Sequence, residues 1–567
     1  SMSIKAGSMI QCLPRLSTAT GARLFVWLLL LLTATEKFVV GFMPSQSRIL
    51  SSSTRLGATS SRDGCDVAVF GGGFGGLYTA LALSKEARAK GKRLDIALVD
   101  PSDRFIFLPL LYDLVMGTAS EEEVCPTYRE LLEGSGIRHV KGTFDNFASS
   151  DLCMANITRL DGNSYQLSFD ASVVAVGATP QSTLTSVPGA SEYTQPFYTR
   201  DNAKETKLVL EKLDRRASSG VKCRIAIVGG GYGGVELATC VKRRIPTATV
   251  TLLSRGRPMQ GTKAEPLIEK ALARLGVEVD ICGVESVEPL DPEGSSADQV
   301  LVRTSSIGVD GGKLEKAEAW DKVLWTAGSG PSYPVCENIV GLKQIDASGR
   351  IQTDQTLRCI KEDASQSLRR PMVWSLGDCS QIVDDSIASF AVPKTAQAAI
   401  QQADIVSTNV FSEMFGDRAE KLFRYQDLGS MLTLGGPNAA VLAPTEDSAF
   451  SPLLTTLLDT TRIGLGLADD IFAQLSKSPA GEKVGISPLV EDLNLSLGGY
   501  GLGVDPNTAP GTLSGTLSGA ARRAIYAIRM PTNRQRAKSA ILGALSTATA
   551  LGKEISEHIS NNEESQL

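Results

Sequence analysis

The chain has 567 residues, a formal net charge of −5, 42% hydrophobic residues, ten cysteines and two histidines. A chain this long divides into several domains, since single cores stop growing near roughly 250–300 residues, and its ordinary apolar content excludes bulk disorder. Mild acidity argues against a general nucleic-acid binder. His139 and His558 stand far apart, so multi-histidine metal sites and Ser-His or Cys-His triads are poor candidates, and no metal is expected. No two cysteines have CxxC or CxxxxC spacing, which favours reduced, mostly buried thiols over zinc sites or redox dithiols.

Residues 1–62 read as an address. They hold one acid, Glu36, against Lys5, Arg15, Arg23, Lys37, Arg48, Arg55 and Arg62. The apolar run 24–32 is too short to span a bilayer, which takes roughly 20 residues, and suits a signal-peptide core. The acid-free, Ser/Thr/Arg-rich stretch 45–62 suits an organelle transit peptide. The tandem resembles the bipartite plastid presequences of algae with secondary plastids, where Phe42 would open the transit part; a mitochondrial presequence or a disordered N-terminal tail is the alternative.

The next element is a β-rich run, residues 66–70, flowing into Gly71-Gly72-Gly73-Phe74-Gly75-Gly76 and then helix-forming residues 77–83. Gly71, Gly73 and Gly76 satisfy GxGxxG: a tight turn, close approach to a pyrophosphate, and helix-on-strand packing. The following strand ends in Asp100, 24 positions past Gly76 (100 − 76), where an acid hydrogen-bonds a ribose hydroxyl. The unit recurs 158 residues on (229 − 71) as strand 224–228, then Gly229, Gly231 and Gly234, then a helix opening with Val235-Glu236. Two such units imply two dinucleotides and electron transfer between a bound and a diffusible cofactor.

These units, with the segment 103–111 that contains Pro109, the strand-to-loop motifs 174–178 and 324–328, Ser375-Leu376-Gly377-Asp378, and Ala396-Gln397-Ala398-Ala399-Ile400-Gln401-Gln402, resemble the two-dinucleotide flavoproteins. Within them the chain is similar to the type II NAD(P)H:quinone oxidoreductases, closest to their plant and cyanobacterial branch. The likeness runs from about residue 66 to 441, with a weaker stretch at 511–544. It implies that the first fingerprint, with Asp100, Pro109, Ala178, Gly377 and Asp378, holds FAD, and that Gly229, Gly231 and Gly234 bind the nicotinamide cofactor. It further implies catalysis by Gln397, Gln401 and Glu236, the two glutamines at flavin and quinone and Glu236 on the nicotinamide side. Gln397 and Gln401, at i and i+4, share one helix face, whose amides can donate and accept; exposed polar positions would look the same.

In one place the chain departs from the NADH-specific pattern. The strand 249–253 is followed by Ser254, Arg255 and Arg257 rather than an acid. Without that acid a 2′-phosphate is not repelled, and arginine can pair with it, so NADPH use alongside NADH is expected.

The expected architecture is an α/β fold of two dinucleotide-binding, Rossmann-like domains, the nicotinamide domain inserted in the FAD domain, plus a C-terminal amphipathic helical region. The expected divisions are presequence 1–62, FAD domain 63–215 and 346–445, NAD(P)H domain 216–345, and C-terminal region 446–567. Leu513, Leu517, Ala521, Ala524 and Ile528 mark one helix face, with Arg522, Arg523 and Arg529 off or beside it; Ile541, Leu545, Ala548 and Ile555 mark a second. Basic residues beside an apolar face suit an interfacial helix; docking on the core or on a second copy is the alternative. The expected activity is passage of a hydride from NAD(P)H to FAD and of two electrons to a membrane prenylquinone, plastoquinone or demethylphylloquinone, without proton pumping. A sulfide:quinone or ferredoxin-type reductase, or a non-catalytic flavin sensor, are the rivals.

Overall fold

The computed structural model describes residues 64–442 and 512–546, apart from 149–150, 180–183, 292–298, 309–310, 329, 332–340, 346–348, 363–371, 384–391, 417–418 and 437. The presequence expected over 1–62, Cys12, Cys336, His558, Ala548 and Ile555 fall outside these residues.

The first sheet is built on β1 (Gly64–Phe70). Val67, Ala68, Val69 and Phe70 are all fully buried, as a central parallel strand covered on both faces requires. β2 (Ile96–Asp100), β3 (Ile137–Lys141), β4 (Thr143–Phe147), β5 (Met154–Thr158) and β6 (Ser164–Val174) complete the order β3-β2-β1-β6-β5-β4. β1 pairs in parallel with β2 and β6, and β5 runs antiparallel to β6. The late strand Val373–Ser375 returns to pair with β6, so this sheet closes only after the chain has made a second one. That second sheet is parallel, in the order Glu278–Ile281, Thr249–Ser254, Arg224–Val228, Lys322–Trp325, Gln195–Pro196. Its edge strand at Gln195–Pro196 lies upstream of residue 216.

The first fingerprint helix, Phe74–Ala89, packs against the glutamine helix, Ala396–Phe415. The latter is capped by the Thr395 hydroxyl, which accepts the Ala398 amide, and ends at Gly416 with φ +66°, a standard pair of helix punctuations. Aromatic rings run from Phe74 through Phe107 to Tyr526, with centroids 5.3 and 5.6 Å apart, joining the fingerprint helix to the C-terminal helix.

That C-terminal helix corrects the sequence reading. It runs Thr516–Arg529, and Leu513 belongs to the preceding strand, Thr512–Gly515. The buried positions are Ser518, Gly519, Arg522, Arg523, Tyr526 and Ala527, not the face through Ala521, Ala524 and Ile528. Arg522 goes inward because a carboxylate waits for it: its Nη2 donates to both oxygens of Asp113 at 2.9 and 2.8 Å. Arg523 Nη2 likewise donates to Glu123 at 3.0 Å. These two arginines are therefore not available to lipid headgroups. In the following helical stretch, 533–546, Gln535 and Ser539 face the core, while Ile541 and Leu545 are 62% and 60% exposed.

Candidate active site

The two fingerprints repeat one stereochemistry. Gly71 has φ +97°, and a Cβ on it would stand 2.4 Å from the Ala175 carbonyl oxygen. A Cβ on Gly76 would fall 1.8 Å from the Gly71 carbonyl oxygen. In the second unit Gly229 has φ +122°, and a Cβ on Gly234 would fall 1.7 Å from the Gly229 carbonyl oxygen. The remaining glycines differ in kind. Nothing lies within 4 Å of a Cβ on Gly73 or Gly231. Each is the N-cap of its helix with no side chain capping it, so the first-turn amides face open space, the arrangement a pyrophosphate requires.

The ends of the two second strands also correspond. Asp100 Oδ2 accepts the Gly72 amide at 2.6 Å and Oδ1 accepts the Ser102 amide at 2.8 Å. Burial pushes its carboxyl up despite these bonds. Ser254, in the matching place, has its hydroxyl 2.1 Å from where a Cβ on Gly230 would stand. Of the two arginines beyond it, Arg257 is already ion-paired with Glu265 and Glu269 at 3.1 and 3.8 Å. Arg255 is exposed, with no ion pair among the described residues, so the expected pair of free arginines reduces to one.

The late motif Ser375-Leu376-Gly377-Asp378 converges on the first fingerprint. A Cβ on Gly75 would touch Leu376 and Ala175 at 3.1 and 3.4 Å. Gly377 has φ +78°, and its amide donates to Gln402 Oε1 at 2.8 Å. Asp378 makes no hydrogen bond among the described residues, and burial raises its carboxyl while Arg350 opposes the rise. Ala178 is buried just past the 175–177 turn.

The glutamines hold a loop. Gln397 Oε1 accepts from Tyr425 Oη at 2.8 Å and from the Leu428 amide at 3.1 Å, and its Nε2 donates to the Gly429 carbonyl. Gln401 brackets Gln426, donating to its carbonyl at 2.8 Å and accepting its amide at 2.9 Å. Both amides are thus engaged with 425–429 rather than pointing free into a ligand space.

Between the segment 108–112 and the second fingerprint lies a cavity of about 360 Å³, lined by Leu108, Tyr112, Phe197, Gly233, Thr326 and neighbours. Tyr112 and Phe197 form an aromatic wall, centroids 5.3 Å apart. Behind it sits Glu236, 7% exposed, whose Oε1 accepts the Thr433 amide at 2.8 Å. Burial pushes its carboxyl up to about 8, against the opposing pull of Arg522 and the Thr433 amide. Glu236 is therefore mostly a neutral acid at pH 7. Tyr112, Phe197 and Arg522 carried no motif of their own in the sequence, and Gln402 lay within the glutamine motif without being singled out.

None of the eight described cysteines is in a disulfide. Cys379, beside Asp378, and Cys359 are fully buried, and desolvation holds both thiols up, the opposite of what a reactive thiol needs.

Two glycine cradles with uncapped helix starts, the second of them bordering the cavity through Gly233, define a flavoprotein with one site for FAD and one for NAD(P)H. The pyridine nucleotide-disulphide oxidoreductase model matches residues 65–403. The chain is 30% identical over 396 residues to the alternative NAD(P)H-ubiquinone oxidoreductase C1, chloroplastic/mitochondrial, of Arabidopsis thaliana, covering 66% of this chain and 72% of that one. It is 32% identical over 381 residues to the demethylphylloquinone reductase of Synechocystis, covering 66% and 86%. The NADH complex of NDH2 from Plasmodium falciparum has the same fold, with a TM-score of 0.53 at 17% identity over 69% of this chain and 94% of that one. The chain belongs to the pyridine nucleotide-disulphide oxidoreductases and, within them, to the type II NAD(P)H:quinone oxidoreductases.

Proposed function

We propose that this chain is an FAD-dependent NAD(P)H:quinone oxidoreductase acting on a membrane prenylquinone, plastoquinone or demethylphylloquinone, without pumping protons. The observation that carries the reading is the cavity in which the flavin-side residues Leu108–Tyr112 meet Gly233 and Thr326 of the nicotinamide side. Bound FAD supplies the redox chemistry, taking a hydride from NAD(P)H and giving two electrons to quinone. The protein supplies the rest.

The amides past Gly73 would hold the FAD pyrophosphate, Asp100 the ribose, and Asp378 the ribityl hydroxyls, with Pro109 and Ala178 as further residues on the flavin side. Gly229, Gly231 and Gly234 cradle NAD(P)H. Ser254 and Arg255 accept a 2′-phosphate, which supports NADPH as donor alongside NADH. Tyr112 and Phe197 shut water from the junction, and orientation of this kind accounts for a large part of such catalysis. Glu236, protonated at neutral pH, holds a proton at the nicotinamide side. Gln397 and Gln401 act through the 425–429 loop they fix.

Membrane contact through the C-terminal helices is supported by exposed Ile541 and Leu545 on the stretch that also carries Arg534 and Lys538, which pair with Glu133 and Glu122 at 2.8 and 3.5 Å. No helix among the described residues is long and apolar enough to cross a membrane. Plant chloroplastic/mitochondrial and cyanobacterial relatives, together with the composition of residues 1–62, support a plastid location, with the mitochondrion as alternative.

The test follows flavin absorbance anaerobically. NADPH or NADH should bleach it, and short-chain plastoquinone or demethylphylloquinone analogues should restore it. A flavin that neither nicotinamide bleaches, or that no quinone restores, would sink the reading.

A further inference from the structure

The C-terminal helix reaches the wall of the junction cavity from behind. Arg522 is 2% exposed and enters between three partners: both Asp113 oxygens, the Pro109 carbonyl oxygen at 3.2 Å, and the Tyr526 ring, 5.3 Å from its centroid. Pro109 and Asp113 bracket Tyr112. Tyr112 faces the other way, with its hydroxyl 3.2 Å from where a Cβ on Gly233 would stand and in contact with Glu236. One guanidinium fork therefore grips both ends of the turn that presents Tyr112 to the cavity. Arginine is suited to this because its planar fork is rigid and cannot shed its charge.

The charges around it balance in a telling way. Arg522 pairs with Asp113, and Arg523 pairs with Glu123, which also accepts the Ser539 hydroxyl at 2.7 Å. Two cations and two carboxylates are thereby matched, and Glu236 is left with no counter-ion of its own. The groups that face Glu236 are Tyr112 and Asp113 from the flavin-side segment, Arg522 and Tyr526 from the C-terminal helix, the Thr433 amide, and Cys240 on its own helix.

We propose that Arg522 is a positioning residue for the nicotinamide half of the site: locked to Asp113 and Pro109, it fixes the Pro109–Asp113 turn so that Tyr112 stands as a wall between the second fingerprint and the flavin. The inference rests on the NAD(P)H:quinone reading of the cavity. It makes the C-terminal region part of the nucleotide site, where the sequence suggested a surface for lipid.

Two variants of the full-length, FAD-loaded protein test it. Arg522→Lys keeps the charge but cannot bridge Asp113 and Pro109 together. The pair Asp113→Leu with Arg522→Met removes both charges at similar volume, a change that buried ion pairs commonly tolerate in stability. NADP⁺ affinity is measured by calorimetric titration, and anaerobic flavin reduction by NADPH is followed across pH. Both variants should retain FAD and a cooperative melt. Both should bind NADP⁺ about tenfold more weakly, the loss expected when a wall of the site is misplaced. In the double variant the pH limb that reports Glu236 should move upward, because Arg522 opposes protonation of Glu236 more strongly than Asp113 favours it. Wild-type affinity and an unmoved limb in the double variant would overturn the proposal, and so would loss of FAD and of cooperative melting in both variants, which would make the pair a folding element only. A wild-type protein that binds NADP⁺ without reducing its flavin would defeat the activity reading, yet leave the tenfold binding ratio as a valid test.

Discussion

Gln402 Oε1 accepts the amide of Gly377, 2.8 Å away, and so ties the glutamine helix to the turn that presents Asp378. Gln402 is buried, so no water replaces it if the side chain is cut. Gln402→Leu leaves a half-buried N–H unpaired, at a cost of about 1–3 kcal/mol, concentrated on the flavin motif. FAD retained through gel filtration should fall sharply. Gln402→Glu, which keeps an acceptor, should retain most of it. Equal retention in Leu and Glu variants would remove Gln402 from the flavin site.

Glycines of one fingerprint should fail in different ways. A Cβ at position 76 collides with the Gly71 carbonyl oxygen, whereas one at position 73 meets nothing. Gly76→Ala should therefore lower the melting temperature of the flavin-free protein. Gly73→Ala should leave that temperature unchanged but abolish FAD binding, because its methyl occupies the approach to the pyrophosphate. If Gly73→Ala binds FAD normally, that open space is not the cofactor's path.

Gln397 and Gln401 hold residues 425–429. Each alanine variant should leave flavin reduction by NAD(P)H close to wild type and slow reoxidation by quinone about tenfold or more, since loosening a positioning element costs in this range. Stopped-flow measurement of the two half-reactions separates the effects. Slowing confined to the NAD(P)H half-reaction would place the loop on the wrong side of the flavin.

What the sequence disclosed and what it concealed divide along contact distance. Each fingerprint is a strand, a turn and a helix within about twenty residues, and the required glycines follow from local backbone geometry, so both were legible. Asp100 was legible too, because it ends the adjacent strand. Arg522 was not. Periodicity places charged residues outside, and only the arrival of Asp113, 409 positions earlier, makes the interior hospitable to it. The same arrival turned the buried face of that helix away from Ala521, Ala524 and Ile528. Tyr112 and Phe197 meet across 85 positions (197 − 112) and carry no motif. The glutamines were found as a pattern, but their partners at 425–429 were visible only in the fold.

Arg255 stands exposed beyond Ser254, while Arg257 is held by Glu265 and Glu269. A 2′-phosphate would therefore be read mainly by Arg255. Arg255→Ala should lower kcat/KM for NADPH about tenfold to a hundredfold, a charge-assisted pair being worth roughly 1.5–3 kcal/mol, and leave NADH nearly unchanged. Equal losses with both nucleotides would mean that Arg255 does not read the phosphate.

Glu236 makes stability depend on pH in an unusual direction. Its carboxyl is pushed by burial from the ordinary 4.5 up to about 8 in the folded chain, whereas the unfolded chain exposes it at the ordinary value. Between these values the folded state binds the extra proton, so stability falls as pH rises. The contribution of Glu236 is fully present below about 4.5 and lost as pH passes through about 8. Glu236→Gln removes the titration while keeping an oxygen for the Thr433 amide. Urea midpoints measured across this window should decline with pH more steeply in wild type than in Glu236→Gln, and the two curves should run parallel below the window. Parallel curves throughout would mean that Glu236 is ionised in the folded chain, and that water or a counter-ion reaches it.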